Sequence, residues 1–294
     1  MFEPFQIVDV SDWTIESVEP GGSEPNLWLS HDASDRFLYK PVVEKDGRRQ
    51  GEDWAEKLVE QLAGLLTIPA AAVDMASRAG RSGVLCADLA SADGWEMHDG
   101  AVLVGLIDRR LVPRAKNRLG HNLRNIYRVL SPLAASGEGL DGLSAFDQFC
   151  GYLLLDAWVA NADRHESNWG VLRSPDGELS LAPSYDHGNS LGFNLTDPKR
   201  SAVLNRPEGI AKWASRGRAV RFEDRRNTTL VAFVAEAFAL ASTGVRDLWL
   251  GRLAGVADAA CEQVIGRTPI MSEVSRTFCL RLLQTNKRRL LDGD

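Results

Sequence analysis

Two carboxylates and one carboxamide near the middle of the chain have types and spacing that could do chemistry. Asp163 is followed five residues later by Asn168, and Asp186 closes a stretch, WGVLRSPDGELSLAP, in which two short apolar runs flank the turn-forming SPDG. A hairpin folded at that turn lays its open ends side by side, its strands about 5 Å apart. Asn168 and Asp186 then face one another and offer the hard oxygen donors that magnesium prefers, water and phosphate oxygens completing the octahedron. Asp163, on the loop ahead of the hairpin, stands close enough to take a proton from a nucleophile. An Asp and an Asn at this spacing also arise by chance as turn formers or caps. Their order with the parts that follow gives them weight.

Phosphoryl transfer needs a cation on the phosphates as well. Of the seven lysines, Lys40 is the one embedded in a strand-like apolar run, RFLYKPVV. A helix is expected over residues 52–66, EDWAEKLVEQLAGLL, whose apolar residues at 55, 58, 59, 62, 63 and 66 follow the helical period before Ile68-Pro69 ends it. At about 100° per residue, Glu52 falls inside the apolar face, Glu56 at its edge and Glu60 toward solvent, so Lys40 has Glu52 or Glu56 as its carboxylate partner. A strand lysine, a helix glutamate, a loop Asp with an Asn five residues on, and an Asp after a hairpin are, in that order, the parts of a protein-kinase centre.

The elements that must position these residues divide into two. Residues 1–94 alternate short apolar runs with Gly, Ser, Asp and Pro punctuation, with strands at NLWL, RFLYKPVV, AAAVDMA and SGVLCADL around the one helix: a small antiparallel sheet, followed by a polar connector, SADGWEMHDG. Residues 95–294 carry long helical stretches, LSAFDQFCGYLLLDAWVANA, TTLVAFVAEAFALAS, DLWLGRLAGVADAACEQVI and SEVSRTFCLRLLQTNKRRLL, interrupted by the hairpin. The fold class is therefore α+β, with a small β-rich N-terminal lobe and a larger, mainly helical C-terminal lobe. Of 294 residues 44% are hydrophobic and 25% charged, which excludes a disordered chain. A net charge of −6 argues against a wholesale grip on nucleic acid or an anionic membrane. Four scattered cysteines point to a reducing compartment, and neither a leader nor a membrane span is evident, so a cytoplasmic protein is expected.

The motifs NADRHESNWGVL and LAPSYDHG, with the strand Lys-Pro and AEKLVEQLAGLL, resemble the HipA family of bacterial serine/threonine kinases, and the DRHxxN run with Asp186-His187-Gly188 is more distantly similar to phosphoinositide kinases. The likeness spans roughly residues 20–195. It implies a bilobal kinase-like fold that binds ATP and Mg2+ between its lobes. Asp163 would be the base, Asn168 and Asp186 the metal ligands and Lys40 the phosphate-binding lysine. Counting back from Leu62-Ala63 in the family pattern, it favours Glu56 as the partner of Lys40, although Ala55 stands where the family has Asn. It implies a phosphate loop at EPGGSEPNLWL, with Gly21 and Gly22 but not the full glycine pattern, and Ser23 as the matching autophosphorylation candidate. The adenine-reading hinge is expected at Cys86, Ala87, Asp88 and Leu89, through backbone groups. The sequence ahead of this core is shorter than the extra N-terminal subdomain of full-length HipA toxins, which leaves toxin activity and an antitoxin partner outside what the resemblance implies.

Residues 199–226 hold nine Lys or Arg against Glu208, Glu223 and Asp224, a local excess of six positive charges behind the expected metal-binding Asp. Either they form a solvated surface paired with carboxylates elsewhere, or they suit an acidic or phosphorylated protein substrate. His165 and His187 lack the HxxxH spacing of a helical zinc pair, and His165 is expected to brace its loop, with Arg164 paired to a carboxylate or phosphate. Trp54, Trp158 and Trp249 belong to the core, with Trp169 packed under the hairpin. Three functions remain open: an ATP- and Mg-dependent protein kinase, a kinase-fold enzyme acting on a small molecule or lipid, and a nucleotide-binding pseudokinase or interaction module.

Overall fold

The computed structural model describes residues 3–19, 25–32 and 35–293. Its N-terminal part is a six-stranded sheet in the order β1-β7-β8-β4-β3-β2, built from β1 (Ile7–Asp9), β2 (Thr14–Glu19), β3 (Asn26–Ser30), β4 (Arg36–Pro41), β7 (Val73–Arg78) and β8 (Arg81–Ala87). A small ribbon of β5 (Glu44–Lys45) and β6 (Arg48–Arg49) leads into helix α1 (Glu52–Leu65), which packs on β7 and β8. The sheet is not wholly antiparallel. Strand β1 runs parallel to β7, Ile7 opposite Met75, because a chain entering beside β7 finds that edge open while the hairpin partners occupy the other positions.

Alternation across β4 sorts its side chains. Tyr39 joins Val10, Leu29, Ala76 and Leu85 in a small core on one face. Leu38 and Lys40 therefore point to the other face and line the cavity between the lobes.

The C-terminal part is built around α4 (Ala145–Val159), all of whose residues are buried, its apolar side chains spread around the helix and its polar Asp147, Gln148 and Asp156 hydrogen-bonded. Ser144 and Asp147 form a capping box at its start, and Ala160, in the left-handed conformation, ends it and turns the chain into the 161–168 loop. Around α4 lie α2 (Gly100–Ile107), α3 (Leu123–Leu130), α5 (Asp197–Leu204), α6 (Gly209–Ala214), α7 (Leu230–Phe238), α8 (Val245–Gly255), α9 (Asp258–Gly266) and α10 (Glu273–Asp292). The stretch expected as one helix over 247–265 is two, broken where Val256 turns to extended backbone. Hydrogen bonds from Trp158 Nε1 to the Leu283 carbonyl and from Asn286 Nδ2 to the Trp158 carbonyl tie α10 to α4. No helix among the described residues is long and apolar enough to cross a membrane.

The hairpin forms at SPDG as β10 (Gly170–Arg173) and β11 (Leu179–Leu181), Val171 opposite Leu181. Part of the segment expected as a polar connector is a third strand, β9 (Glu96–Asp99), which pairs with the free edge of β10. Its four residues are too few to show alternation, and the partner edge lies some seventy residues away in sequence. Backbone hydrogen bonds join the two parts. The Ala71 N–H donates to the Ser184 carbonyl and the Ser184 N–H to that of Pro69, holding the chain two residues ahead of Asp186 against the N-terminal part.

Helix α4 meets α8 where Gly151 touches Trp249, and a Cβ at position 151 would fall 2.5 Å from the Trp249 ring. Gly→Ala in an open helix gains up to about 1 kcal/mol, whereas overpacking costs about 1–3 kcal/mol. The clash should win, so Gly151→Ala should lower the urea midpoint of unfolding; an unchanged or raised midpoint would show that α8 yields freely.

Candidate active site

The 161–168 loop is shaped by one buried side chain. Arg164 donates from Nε and Nη2 to the two carboxylate oxygens of Asp156 on α4, both at 2.8 Å, from Nη1 to the Asn168 carbonyl at 2.7 Å, and from Nη2 to Ser184 Oγ at 3.0 Å. The expectation that Arg164 pairs with a carboxylate is met by Asp156. Asn161 also donates to Asp156 from Nδ2 at 2.8 Å, and its Oδ1 accepts the Asp163 N–H at 3.0 Å, which pins the start of the loop. Asn168 donates from Nδ2 to the Asp163 carbonyl at 2.9 Å, pinning its end.

The Ser184 hydroxyl, receiving Arg164, lies 2.7 Å from His187 Nε2 and donates its own proton there. That leaves the ring proton on Nδ1, 3.8 Å from Glu56 Oε1, and burial holds the imidazole well below its ordinary pKa and neutral. His165 accepts the Ser167 N–H on Nδ1 at 3.1 Å, a loop-bracing contact. Among the described residues no three His, Cys, Asp or Glu side chains are grouped to hold a metal ion.

Lys40 and Asp186, 146 residues apart in sequence, meet at 2.8 Å between Nζ and Oδ1. Asp186 sits at φ 61°, a left-handed conformation that Asp tolerates better than most residues and that turns its carboxylate toward β4. Burial acts to lower the Lys40 pKa, but Asp186 more than offsets it and holds the ammonium well above its ordinary range. The same ammonium pushes Asp186 down to about 2.

Glu56 is buried beside this pair, yet its direct partner is not Lys40. Its Oε1 accepts the His187 N–H at 2.8 Å, and burial raises its carboxyl above the usual range against the pull of Lys40. Asp186 has taken the lysine, so Glu56 steadies the backbone after Asp186 instead. Gly188 permits this approach, since a Cβ there would lie 3.1 Å from Glu56 Oε2. Glu52, the other candidate, opens α1 with Oε2 buried and without a hydrogen-bond partner among the described residues, and burial pushes its pKa up to about 7.

Asp163 is engaged at both oxygens. Asn189 donates to Oδ2 at 2.6 Å, and the Arg221 guanidinium pairs with Oδ1.

A cavity of about 760 Å3 opens between the lobes. Lys40, Glu56 and Asp186 line it, and Cys86, Ala87, Asp88 and Leu89 form one wall. The Ala87 and Asp88 N–H groups are already bonded to the Ala72 and Arg36 carbonyls, and burial pushes the Cys86 thiol up to about 12. Gly21, Gly22 and Ser23 lie outside the described residues; the strands on either side, β2 and β3, pair with Glu19 opposite Asn26.

Sequence reading missed several of the lining residues. Met97 and His98 come with the unforeseen β9, and Arg36, stacked over Trp28 at 4.0 Å, stands at the cavity beside Asp88. Arg221 was visible only as one charge in a basic run.

No protein-family model matches the sequence, and no curated protein matches it. Among solved structures, the chain is similar to the Helicobacter pylori proinflammatory kinase CtkA, with 16% identity, a TM-score of 0.70 and coverage of 98% of this chain and 96% of that one. HipA of Shewanella oneidensis MR-1, solved with HipB and operator DNA, aligns at 14% identity and a TM-score of 0.49 over 98% of this chain and 65% of that one. At its level of identity the CtkA likeness speaks for the fold alone: the chain has a two-lobed, protein-kinase-like fold.

Two measurements test the site's framework. Removing either partner of the Arg164–Asp156 pair leaves a buried charge uncompensated, a loss of about 3–5 kcal/mol, and Arg164→Ala combined with Asp156→Ala should lose clearly less than the two singles together. Additive losses in urea titrations would mean the pair is not coupled. Glu52 holds its proton in the folded state up to about pH 7 but releases it near pH 4.3 when unfolded. Between those values the folded state binds the extra proton, so stability falls as pH rises. Glu52→Gln should therefore flatten the unfolding profile from about pH 4.5 to 7, and an unaltered slope would contradict the burial.

Proposed function

We propose that the protein is an ATP- and magnesium-dependent phosphotransferase, a HipA-like serine/threonine protein kinase, with residues 1–94 as the nucleotide lobe and 95–294 as the acceptor lobe. The observation that carries this reading is the meeting of Lys40 and Asp186 at 2.8 Å on the wall of a cavity into which the 161–168 loop leads. A cation and a carboxylate placed together there match the two charges that phosphate recognition requires.

The donor set fits magnesium. Asn168 donates from Nδ2 within the loop and keeps Oδ1 as an oxygen donor, while Asp186 meets Lys40 through Oδ1 and has a second oxygen to offer. The nearby imidazoles are engaged elsewhere, at Ser167 and Ser184. Asn168 and Asp186 would hold the ion, whose charge would neutralise that of the nucleotide phosphates.

The chain's own residues would do the rest. Lys40 would turn from Asp186 to a phosphate oxygen, and Glu56, fixed on the His187 N–H, keeps the following backbone in place. Gly21, Gly22 and Ser23 supply the phosphate loop, and the wall from Cys86 to Leu89 receives the base, with the Leu89 N–H and the carbonyls of that run as its polar groups. Asp163 accepts the proton of the acceptor hydroxyl as the new O–P bond forms at the γ-phosphorus, while the bond to the bridging oxygen breaks and ADP departs with the electron pair.

Purified protein incubated with γ-labelled ATP and magnesium, with and without bacterial lysate, should place label on protein. Asp163→Asn should slow transfer by about 10²–10⁴-fold while sparing nucleotide binding. Label retained in Asp163→Asn would remove Asp163 from the mechanism. Consumption only with small metabolites or lipids would move the acceptor class, and binding without consumption would mark a pseudokinase.

A further inference from the structure

The proposed base is held by a cation, Arg221. Arg221 pairs with Asp163 Oδ1 while Asn189 donates to Oδ2, so in this conformation each carboxylate oxygen already has a partner with which an incoming hydroxyl must compete. The backbone of Arg221 is anchored, because its carbonyl lies 2.7 Å from His121 Nδ1, and its neighbour Phe222, buried, stacks on the His121 ring at 4.5 Å. Trp169 donates from Nε1 to His121 Nε2 at 3.1 Å, which fixes the tautomer with the proton on Nδ1, and burial lowers that imidazole's pKa to about 4. The side chain is another matter. It is 35% exposed where that of Asp163 is 17% exposed, so the pair is open to water, and to an incoming anion, from the arginine side.

What could exchange with it lies alongside. A loop over residues 109–118 carries Arg109, Arg110, Arg114, Lys116 and Arg118 against no acidic residue. It is clipped to the 161–168 loop by the Arg114 N–H on Glu166 Oε1 and to the 216–226 segment by Arg226 Nη2 on the Lys116 carbonyl, 2.6 Å. Arg114, Lys116 and Arg226 are exposed, and their charges have no carboxylate partner among the described residues. Cations from two separate loops thus stand together, Arg114 on the wall of the cavity between the lobes and Arg226 against Lys116, on segments joined to the 161–168 loop and to Arg221. Neither stretch presents an exposed aromatic side chain on which a base could stack, since Phe222 is buried. The chemistry fits carboxylates or phosphates on a protein segment.

Resting on the phosphotransfer reading, we propose that Arg221 selects the acceptor: an acidic protein segment gathered by Arg114, Lys116 and Arg226 draws the Arg221 guanidinium onto its own anionic side chain, and only then is Asp163 free to receive the hydroxyl proton. The latch makes an acidic acceptor both substrate and activator, and it suppresses transfer to water in the acceptor's absence.

The test compares a serine peptide flanked by Glu with the same peptide carrying Gln, in the unmodified protein, Arg221→Ala, Arg221→Gln, Lys116→Glu/Arg226→Glu and Asp163→Asn. Peptide transfer and acceptor-free ATP hydrolysis are followed together. The unmodified protein should favour the Glu peptide by about tenfold or more in kcat/KM, a preference that weakens with salt. Arg221→Ala and Arg221→Gln should both lose that preference and hydrolyse ATP faster without acceptor, and Lys116→Glu/Arg226→Glu should raise KM for the Glu peptide more than it changes kcat. If Arg221→Ala and Arg221→Gln keep the preference, or lose both peptides and hydrolysis equally, Arg221 is only a support for Asp163 and the latch is wrong. If a single-stranded RNA oligomer competes better than the Glu peptide, the rim serves nucleic acid and the proposal falls. If the unmodified protein transfers to both peptides equally, the latch alone falls. No turnover of ATP under any condition would bring down the phosphotransfer reading with it.

Discussion

The Arg164 guanidinium, 2% exposed, grips both oxygens of Asp156 on the fully buried helix α4, and the rest of the polar centre is hung from that grip. Its remaining donors reach the Asn168 carbonyl and Ser184, so one planar side chain sets the helix end, the loop and the strand leaving the hairpin relative to each other. Lysine could not replace it, having a point charge where Arg has a fixed fork of five donors. Such a buried pair is no guarantee of net stability, because desolvation consumes much of the Coulomb gain. What it contributes here is geometry. From Ser184 the chain of contacts continues through His187 to Glu56, so a polar thread runs from the centre of the helical lobe into the helix of the sheet lobe.

That thread explains why Lys40 finds Asp186 rather than Glu56. Glu56 is turned to the His187 N–H, and Asp186, in its left-handed conformation, presents its carboxylate to β4. The backbone clip between Pro69, Ala71 and Ser184 holds the two lobes at this separation. Among the links between the lobes, three of different kinds border the cleft: a backbone clip, a buried polar thread and an ion pair. Only the ion pair, with Lys40 26% and Asp186 36% exposed, lies open enough to exchange its partners for a ligand.

Much of this arrangement was legible in the sequence because local signals carried it. The SPDG turn between two apolar runs marks the hairpin, the apolar period from Ala55 to Leu66 marks α1, and the apolar run around Lys40 marks a strand. What escaped depends on partners distant in the chain. Glu96–Asp99 has no strand signature of its own and becomes one only against β10, and the parallel pairing of β1 is decided by an open edge on β7. The preference of Glu56 for a backbone amide over Lys40 follows from competition with Asp186, which no helical wheel contains. Arg221 looked like one charge among nine, and only the fold brings it to Asp163.

The central claim, that the cleft recognises a nucleotide through a metal held at Asn168 and Asp186 with Lys40 on the phosphates, is tested most directly by titrating a non-hydrolysable ATP analogue calorimetrically with and without magnesium, beside Lys40→Met and Asp186→Asn. The account predicts binding that tightens with magnesium, a loss of that enhancement in Asp186→Asn, and weakened binding in Lys40→Met under both conditions. Equal affinity with and without the metal, unchanged by either substitution, would contradict it.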